Sequence, residues 1–127
     1  MKRMVLVAIV AALVVAPAVG EAASAKRGKA CPDGALCLWP NKNYRGDREV
    51  FKKVGATNVS RKLNNKASSV KDRTGDEVYL MDAKNGSDND DYQCMFASEF
   101  PDLAKVGFNN VISSVVVIKS GDPQLPC

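Results

Sequence analysis

Short apolar runs alternate with turn residues from residue 31 onward, and no segment has the sustained period of a long helix. Runs of this length are typical of strands. The pattern predicts strands at residues 35–39, 47–51, 55–59, 68–73, 77–81, 93–96 and 113–119. One helical turn is predicted at residues 101–105, because Pro101 suits its start and Gly107 its end. The chain is therefore expected to be all-β.

One hexapeptide occurs twice in the chain. Asn-Asn-Lys-Ala-Ser-Ser at residues 64–69 recurs as Asn-Asn-Val-Ile-Ser-Ser at residues 109–114, 45 positions later. Such a repeat indicates one supersecondary unit used twice, since a single half cannot bury its apolar face alone. We place the first unit at residues 31–75 and the second at residues 76–121.

The N-terminal 25 residues have the pattern of a signal peptide. Lys2 and Arg3 precede the apolar run 4–15, which is too short to span a bilayer, and Ala-Ser-Ala at 23–25 suits cleavage. We expect removal of residues 1–25, although a retained anchor is the alternative. After cleavage, the mature protein would be secreted with no attachment to the membrane. It would begin with a flexible segment at residues 26–30.

Export changes the interpretation of the four cysteines, because an oxidising compartment favours disulfides over metal or redox sites. Three pairings are possible. Cys31 and Cys37 flank a short Pro-Asp-Gly turn and can meet easily, which leaves Cys94 to pair with Cys127. The second bond would hold the tail at residues 122–127, which would otherwise fray.

Charge is distributed unevenly along the chain. Residues 26–75 contain 13 basic and 4 acidic side chains, whereas residues 76–127 contain 3 basic and 9 acidic ones. We favour two solvated faces whose opposite fields help the halves pack, with a basic face for an anionic partner as the alternative. Nucleic acid is not expected, because the chain is exported and its basic residues are not interleaved with aromatic ones.

An enzyme is not expected either. The chain has no histidine, its cysteines are expected to be paired, and it lacks a Gly-rich phosphate loop or a serine nucleophile motif. The adjacent acids Asp90 and Asp91 lie on a polar turn, where nothing separates their pKa values as an acid–base pair requires. The acidic cluster 88–91 lacks the spacing of an EF-hand loop and is expected to be a solvated turn.

Three segments carry a resemblance to the βγ-crystallin family. Residues 39–46, Trp-Pro-Asn-Lys-Asn-Tyr-Arg-Gly, match its pattern of aromatic, four residues, aromatic, any residue, glycine, and both hexapeptides resemble its Asn/Asp-Asn/Asp-x-x-Ser/Thr-Ser signature. The resemblance implies two Greek-key motifs packed as a β-sandwich. In the second half Tyr79 can serve as the leading aromatic, but the glycine position within 83–87 is unclear.

Within that family, the chain is similar to peptidase inhibitor family I36. Cys31, the Cys-Leu-Trp sequence at 37–39 and residues 68–75 carry this similarity. It implies a binding protein that inhibits a secreted metallopeptidase, and we expect a monomer. Met95 and Phe96 beside Cys94 are the candidate inhibitory contact, because a braced segment costs little entropy on binding. The favoured interpretation of both residues is a strand in the core.

The βγ-crystallin resemblance also implies two calcium sites, each combining an amide from one signature with a serine from the other and a main-chain carbonyl. Oxygen ligands of this kind suit Ca²⁺. The candidates are Asn65, Ser68, Asn110 and Ser113 by side chain, and Lys66 and Val111 by main-chain carbonyl. Binding would be weak, because no carboxylate is present, and a purely structural role for these residues is favoured.

Two further functions stay open at this point. One is a calcium-binding extracellular domain with a structural or stress role, and the other is a small secreted antimicrobial or wall-binding toxin. A scaffold resemblance alone does not decide among these and the inhibitor. The toxin would inhibit growth or bind polysaccharide, which neither of the others is expected to do.

Overall fold

The computed structural model describes residues 28–119, 122 and 124–127. The predicted signal peptide, and the first two residues of the segment 26–30, lie outside the described residues. Eight strands are present: β1 Leu36–Trp39, β2 Glu49–Phe51, β3 Gly55–Asn58, β4 Ser69–Asp72, β5 Glu77–Met81, β6 Tyr92–Phe96, β7 Glu99–Phe100 and β8 Ser114–Ile118. The prediction of an all-β chain is confirmed.

The strands form two antiparallel four-stranded sheets. The first sheet has the order β2-β1-β4-β7 and the second has the order β3-β8-β5-β6. The third strand of each half therefore lies in the sheet built by the other half: β3 pairs with β8, and β7 pairs with β4. This exchange makes the two Greek keys interdependent, as a shared interior requires.

The core lies between the two sheets and follows the two-residue alternation of the strands. On β1, Leu36 and Leu38 face the interior with Val70 of β4, and Val78 and Leu80 of β5 face them from the second sheet. Both hexapeptides end at the start of a strand that crosses this core. The apolar positions predicted from the sequence therefore supply one continuous interior.

A second, smaller apolar cluster covers the opposite side of β1. Cys37 and Trp39 point away from the main core and pack with Cys31 and Ala35. Gly28 lies against the Trp39 indole so closely that a Cβ on Gly28 would be 2.5 Å from Nε1. The chain just before Cys31 thus shields an aromatic side chain that would otherwise face water.

Among the described residues, helical structure is limited to three short 3₁₀ turns, Lys42–Tyr44, Lys84–Gly86 and Leu103–Val106. In the described part of the chain, none of these has the length and hydropathy of a membrane span. The third is the predicted turn, displaced toward Gly107. It begins after Asp102, whose carboxylate accepts a hydrogen bond from the Ala104 amide, while Gly107 closes it with a φ of 71°.

Candidate functional sites

The two hexapeptides meet across the interface between the halves. The Ser113 hydroxyl donates to the Asn65 amide oxygen at 2.9 Å, and the Ser68 hydroxyl donates to the Asn110 amide oxygen at 3.5 Å. Asn65 and Asn110 both have left-handed backbones, with φ of 55° and 60°, a conformation that asparagine tolerates well. The structure therefore brings together the amide–serine combinations that the resemblance implies.

The last serine of each hexapeptide organises a hairpin turn. Ser69 and Ser114 are fully buried. Each hydroxyl donates to a carbonyl at 2.6 Å and accepts from an amide at 3.0 Å: for Ser69 these are Asn41 and Tyr44, and for Ser114 they are Ala83 and Gly86. The same pair of hydrogen bonds is thus present in both halves.

These matching bonds align the two hairpins and correct one prediction. The Trp39 carbonyl accepts from the Ser68 amide, and the Met81 carbonyl accepts from the Ser113 amide. Met81, not Tyr79, therefore occupies the position of the leading aromatic. Tyr79 instead packs edge-on to Tyr92, with ring centroids 6.0 Å apart.

In the same alignment, Gly86 occupies the position equivalent to Tyr44, the second aromatic of the first hairpin. The φ angles of these two residues are 64° and 60°, so the turn keeps its shape without the aromatic pair. A Cβ on Gly86 would lie 2.8 Å from Ala56 Cβ and 2.8 Å from Val116 Cγ2. Close packing against the second sheet therefore explains glycine at this position.

The oxygen atoms at the hexapeptides are ligands of the kind that bind a hard cation, and such a site would have low affinity. Asn64 and Asn109, the first residues of the two copies, each have a buried Oδ1 without a hydrogen-bond partner among the described residues. Unpartnered buried oxygens are rare in folded proteins, and sequence reasoning did not single these two out. The donor set is neutral, and Lys66 beside it is exposed, so a cation held by these oxygens would be bound weakly.

No second cation site is supported elsewhere in the described chain. Glu77, Cys94 and Cys127 are the one group of three metal-ligating side chains found close together. Both sulfurs of that group are joined in a disulfide, so they are not free to bind a metal. The acids at 88–91 are exposed and, among the described residues, do not form such a group.

Both predicted disulfides are present. Cys31–Cys37 and Cys94–Cys127 join Cα atoms 5.8 Å and 6.1 Å apart, separations typical of the bond. The first is buried and the second lies at the surface, where Cys127 is exposed. Two disulfides in one small domain are characteristic of an oxidising compartment.

The candidate inhibitory contact is divided by the alternation of β6. Met95 points into the core with 2% exposure, whereas Phe96 is 69% exposed. As the favoured interpretation predicts, the Met95 side chain fills the space between the sheets and is not available for a contact, whereas Phe96 is not a core residue. Phe96 is the most exposed of the large apolar side chains described.

The tail is held across the outer face of β5 and β6. The Tyr92 hydroxyl donates to the Pro126 carbonyl at 2.7 Å, and the Leu125 amide donates to the Tyr79 hydroxyl at 3.0 Å. Burial raises the pKa of Tyr79, so this hydroxyl keeps its proton well into the alkaline range. The disulfide at Cys94 is thus one of several attachments of the tail.

Ion pairs link the basic first half to the acidic second half. Lys42 lies 3.9 Å from Asp102, and Lys71 lies 3.6 Å from Glu99. Lys71 also stands 4.1 Å from the centre of the Tyr44 ring. Burial, with a smaller contribution from Glu99, raises the pKa of Tyr44 to about 12. These contacts support the interpretation that opposite charges help the halves pack.

Solved structures show the same fold. A βγ-crystallin from an archaeon is 20% identical, covering 66% of this chain and 96% of its own, with a TM-score of 0.57. A structure reported on the evolution of the eye lens βγ-crystallin domain fold is 25% identical, covering 72% and 92%, with a TM-score of 0.61. The βγ-crystallin domain of Abundant Perithecial Protein from Neurospora crassa, solved in its Ca²⁺-bound form, is 18% identical, covering 75% and 100%, with a TM-score of 0.57.

No curated protein matches the sequence significantly. The sequence model of peptidase inhibitor family I36, in contrast, matches residues 24–94. That match covers more than half of the 127 residues. It includes the first disulfide, the aromatic hairpin, the first hexapeptide and the strand that reaches Cys94. The chain is a βγ-crystallin-like domain and belongs to peptidase inhibitor family I36.

Proposed function

We propose that this protein is a secreted inhibitor of a metallopeptidase and acts as a monomer by binding. The family is one of inhibitors, so the chain is a binding protein and not an enzyme. The family match is the observation that carries the proposal. The two disulfides and the pattern of residues 1–25 support secretion.

The structure supports binding through rigidity. An inhibitor must present a surface that loses little entropy when the complex forms. Strand β6 is fastened at Cys94 to the tail and at Met95 to the core, while Phe96 stands exposed beside them. An exposed aromatic side chain on a fixed strand is the kind of anchor that dominates binding energies.

The mature domain, residues 26–127, is expected to inhibit a thermolysin-like metallopeptidase with an equimolar end point. Residual peptide hydrolysis would be measured while the domain is titrated against a panel of metallopeptidases, with a serine peptidase as the control. Light scattering of the free domain, without peptidase, is expected to give the mass of one chain. Absence of inhibition at micromolar excess over every metallopeptidase tested would refute the proposal.

Weak calcium binding is a second candidate function, favoured by one specific observation. The hexapeptides bring neutral oxygen donors together, and Asn64 and Asn109 each leave a buried amide oxygen unpartnered. Asn65, Ser68 and the carbonyl of Lys66, with Asn110, Ser113 and the carbonyl of Val111, are the ligands we propose. The Ca²⁺-bound form of the Neurospora domain shows that one protein of this fold binds the ion.

Calcium is expected to raise the melting temperature modestly. With a Kd of about 1 mM at each site, 10 mM Ca²⁺ would stabilise the folded state by about 1.4 kcal/mol per site, because the ion binds the folded form selectively. Asn65→Asp should increase the shift by adding a carboxylate, while Asn89→Asp on the acidic turn serves as the control. Identical melting curves in EDTA and in 10 mM Ca²⁺ would exclude the site.

A further inference from the structure

Three of the four sheet edges are protected against pairing with another chain. Natural proteins protect edges by charge, by shortness or by a covering segment. β7 has two residues, one of them Glu99. β2 is flanked by Arg48 and by Lys52. β3 is covered by the 3₁₀ turn Lys84–Gly86, since the Asn85 amide donates to the Asn58 side chain at 2.7 Å.

Strand β6 is less protected: it has a flanking charge at one end only, at Asp91, and it is longer than β2, β3 and β7. It is an edge strand of the second sheet, five residues long, with the sequence Tyr-Gln-Cys-Met-Phe. It contains no charge and no proline. The tail bonds to Tyr79 of β5 as well as to Tyr92, so it lies over the face of the sheet. In the described chain, the outer side of β6 therefore carries no neighbouring strand.

Strand β6 is also held in place by contacts along its whole length. Its five residues pair with β5 throughout, and Cys94 and Met95 fasten it on both faces. Beyond its end, Ala97 has a left-handed φ of 46°. The Ala97 amide donates at 3.3 Å to the carboxylate of Asp72, which is 5% exposed. Asp72 thereby fixes the turn that follows Phe96.

We propose that β6 binds the target by strand addition: an extended segment of the peptidase pairs with the outward-facing main chain of β6, displacing the Gln93 side-chain amide that lies 3.0 Å from the Cys94 carbonyl, and Phe96 fills an apolar pocket beside it. This inference rests on the proposed inhibitor function and specifies its surface. Main-chain pairing supplies affinity and an alternate side chain supplies selectivity in such complexes. An uncharged edge suits a main-chain partner, whereas a surface that binds through ion pairs would carry charge.

The test compares two exposed apolar residues beside opposite edges of the second sheet, Phe96 on β6 and Val54 next to β3. Phe96→Lys places a charge on the β6 edge, and Val54→Lys, at a site 46% exposed between β2 and β3, is the matched control. We expect Phe96→Lys to weaken inhibition about 100-fold, as for a central anchor residue, and Val54→Lys to leave it within about twofold. Thermal melting checks that both variants fold.

Amide hydrogen exchange separates main-chain pairing from contact through Phe96 alone. In the complex, the amides of β6 that face the free edge are expected to exchange more slowly, while those of β2 and β3 stay unchanged. Inhibition without added protection of β6, or with full strength in Phe96→Lys, overturns the inference and leaves the inhibitor function intact. A wild-type domain that inhibits nothing overturns both. A dimer formed through β6 in the free protein also overturns the inference.

Discussion

Ser69→Ala and Ser114→Ala are each expected to lower the free energy of unfolding by roughly 2–6 kcal/mol, because each change leaves two main-chain groups unpartnered at about 1–3 kcal/mol per group. Both hydroxyls are fully buried and join an amide to a carbonyl within one hairpin turn. Similar losses in the two halves would show that the repeated hexapeptide performs the same structural task twice.

Urea unfolding, followed by fluorescence of the single tryptophan, measures both losses. Ser113→Ala is the matched control, because its hydroxyl donates to one side chain, Asn65, which is exposed. We expect that variant to lose about 1 kcal/mol. The account of the hexapeptides is contradicted if Ser69→Ala or Ser114→Ala costs no more than Ser113→Ala.

Removing the Cys94–Cys127 disulfide, by Cys94→Ser with Cys127→Ser, is expected to cost about 4 kcal/mol. The bond closes a loop with a sequence separation of 33 residues, and the loss of unfolded-state entropy grows with loop length. The Cys31–Cys37 bond closes a separation of 6 residues and is expected to contribute about 2 kcal/mol by the same relation. The tail bond is therefore the larger contributor.

The tail disulfide, although the larger contributor to stability, is expected to be reduced before the Cys31–Cys37 bond because it is more exposed. Cys127 is exposed, whereas Cys31 and Cys37 are 4% and 0% exposed, so a thiolate reaches the tail bond first. Mild dithiothreitol followed by alkylation and mass spectrometry should label Cys94 and Cys127 before the other pair. Equal labelling of all four cysteines, or a double serine variant as stable as the wild type, would contradict the role of this bond.

Most of the fold was predictable because the responsible signals are local. Short apolar runs between turn residues predicted strands, and a duplicated Asn-Asn-x-x-Ser-Ser predicted two related units. The disulfide pairing followed from one short turn that left a single partner for the tail. Each of these predictions needed only neighbouring residues or a count.

The features that sequence reasoning missed depend on contacts between the halves. Strand β7 has two residues and exists because it pairs with Val70 and Lys71 of the other half, which no local pattern reveals. The Ser113 amide bonds to the carbonyl of Met81, so Met81 occupies the position where an aromatic residue was expected. No sequence pattern singled out Asp72, which is buried and fixes the turn after Phe96.

The candidate sites were predictable as residue types and less so as exposed surfaces. The amide–serine pairs at the hexapeptides lie where the family resemblance placed them. The interpretation of both Met95 and Phe96 as core residues fits Met95 and not Phe96, because the sequence alone did not show which face of β6 meets the core. Since neighbouring side chains of a strand point to opposite faces, only one of Met95 and Phe96 could be exposed.

The central claim, that this domain is a peptidase inhibitor, is tested most directly by titrating the mature domain into a metallopeptidase at a concentration well above the Kd. The account predicts that activity falls linearly and reaches its minimum at one domain per enzyme, while the fold stays intact. Unchanged activity across the whole panel, from a domain whose melting curve shows it to be folded, would contradict it.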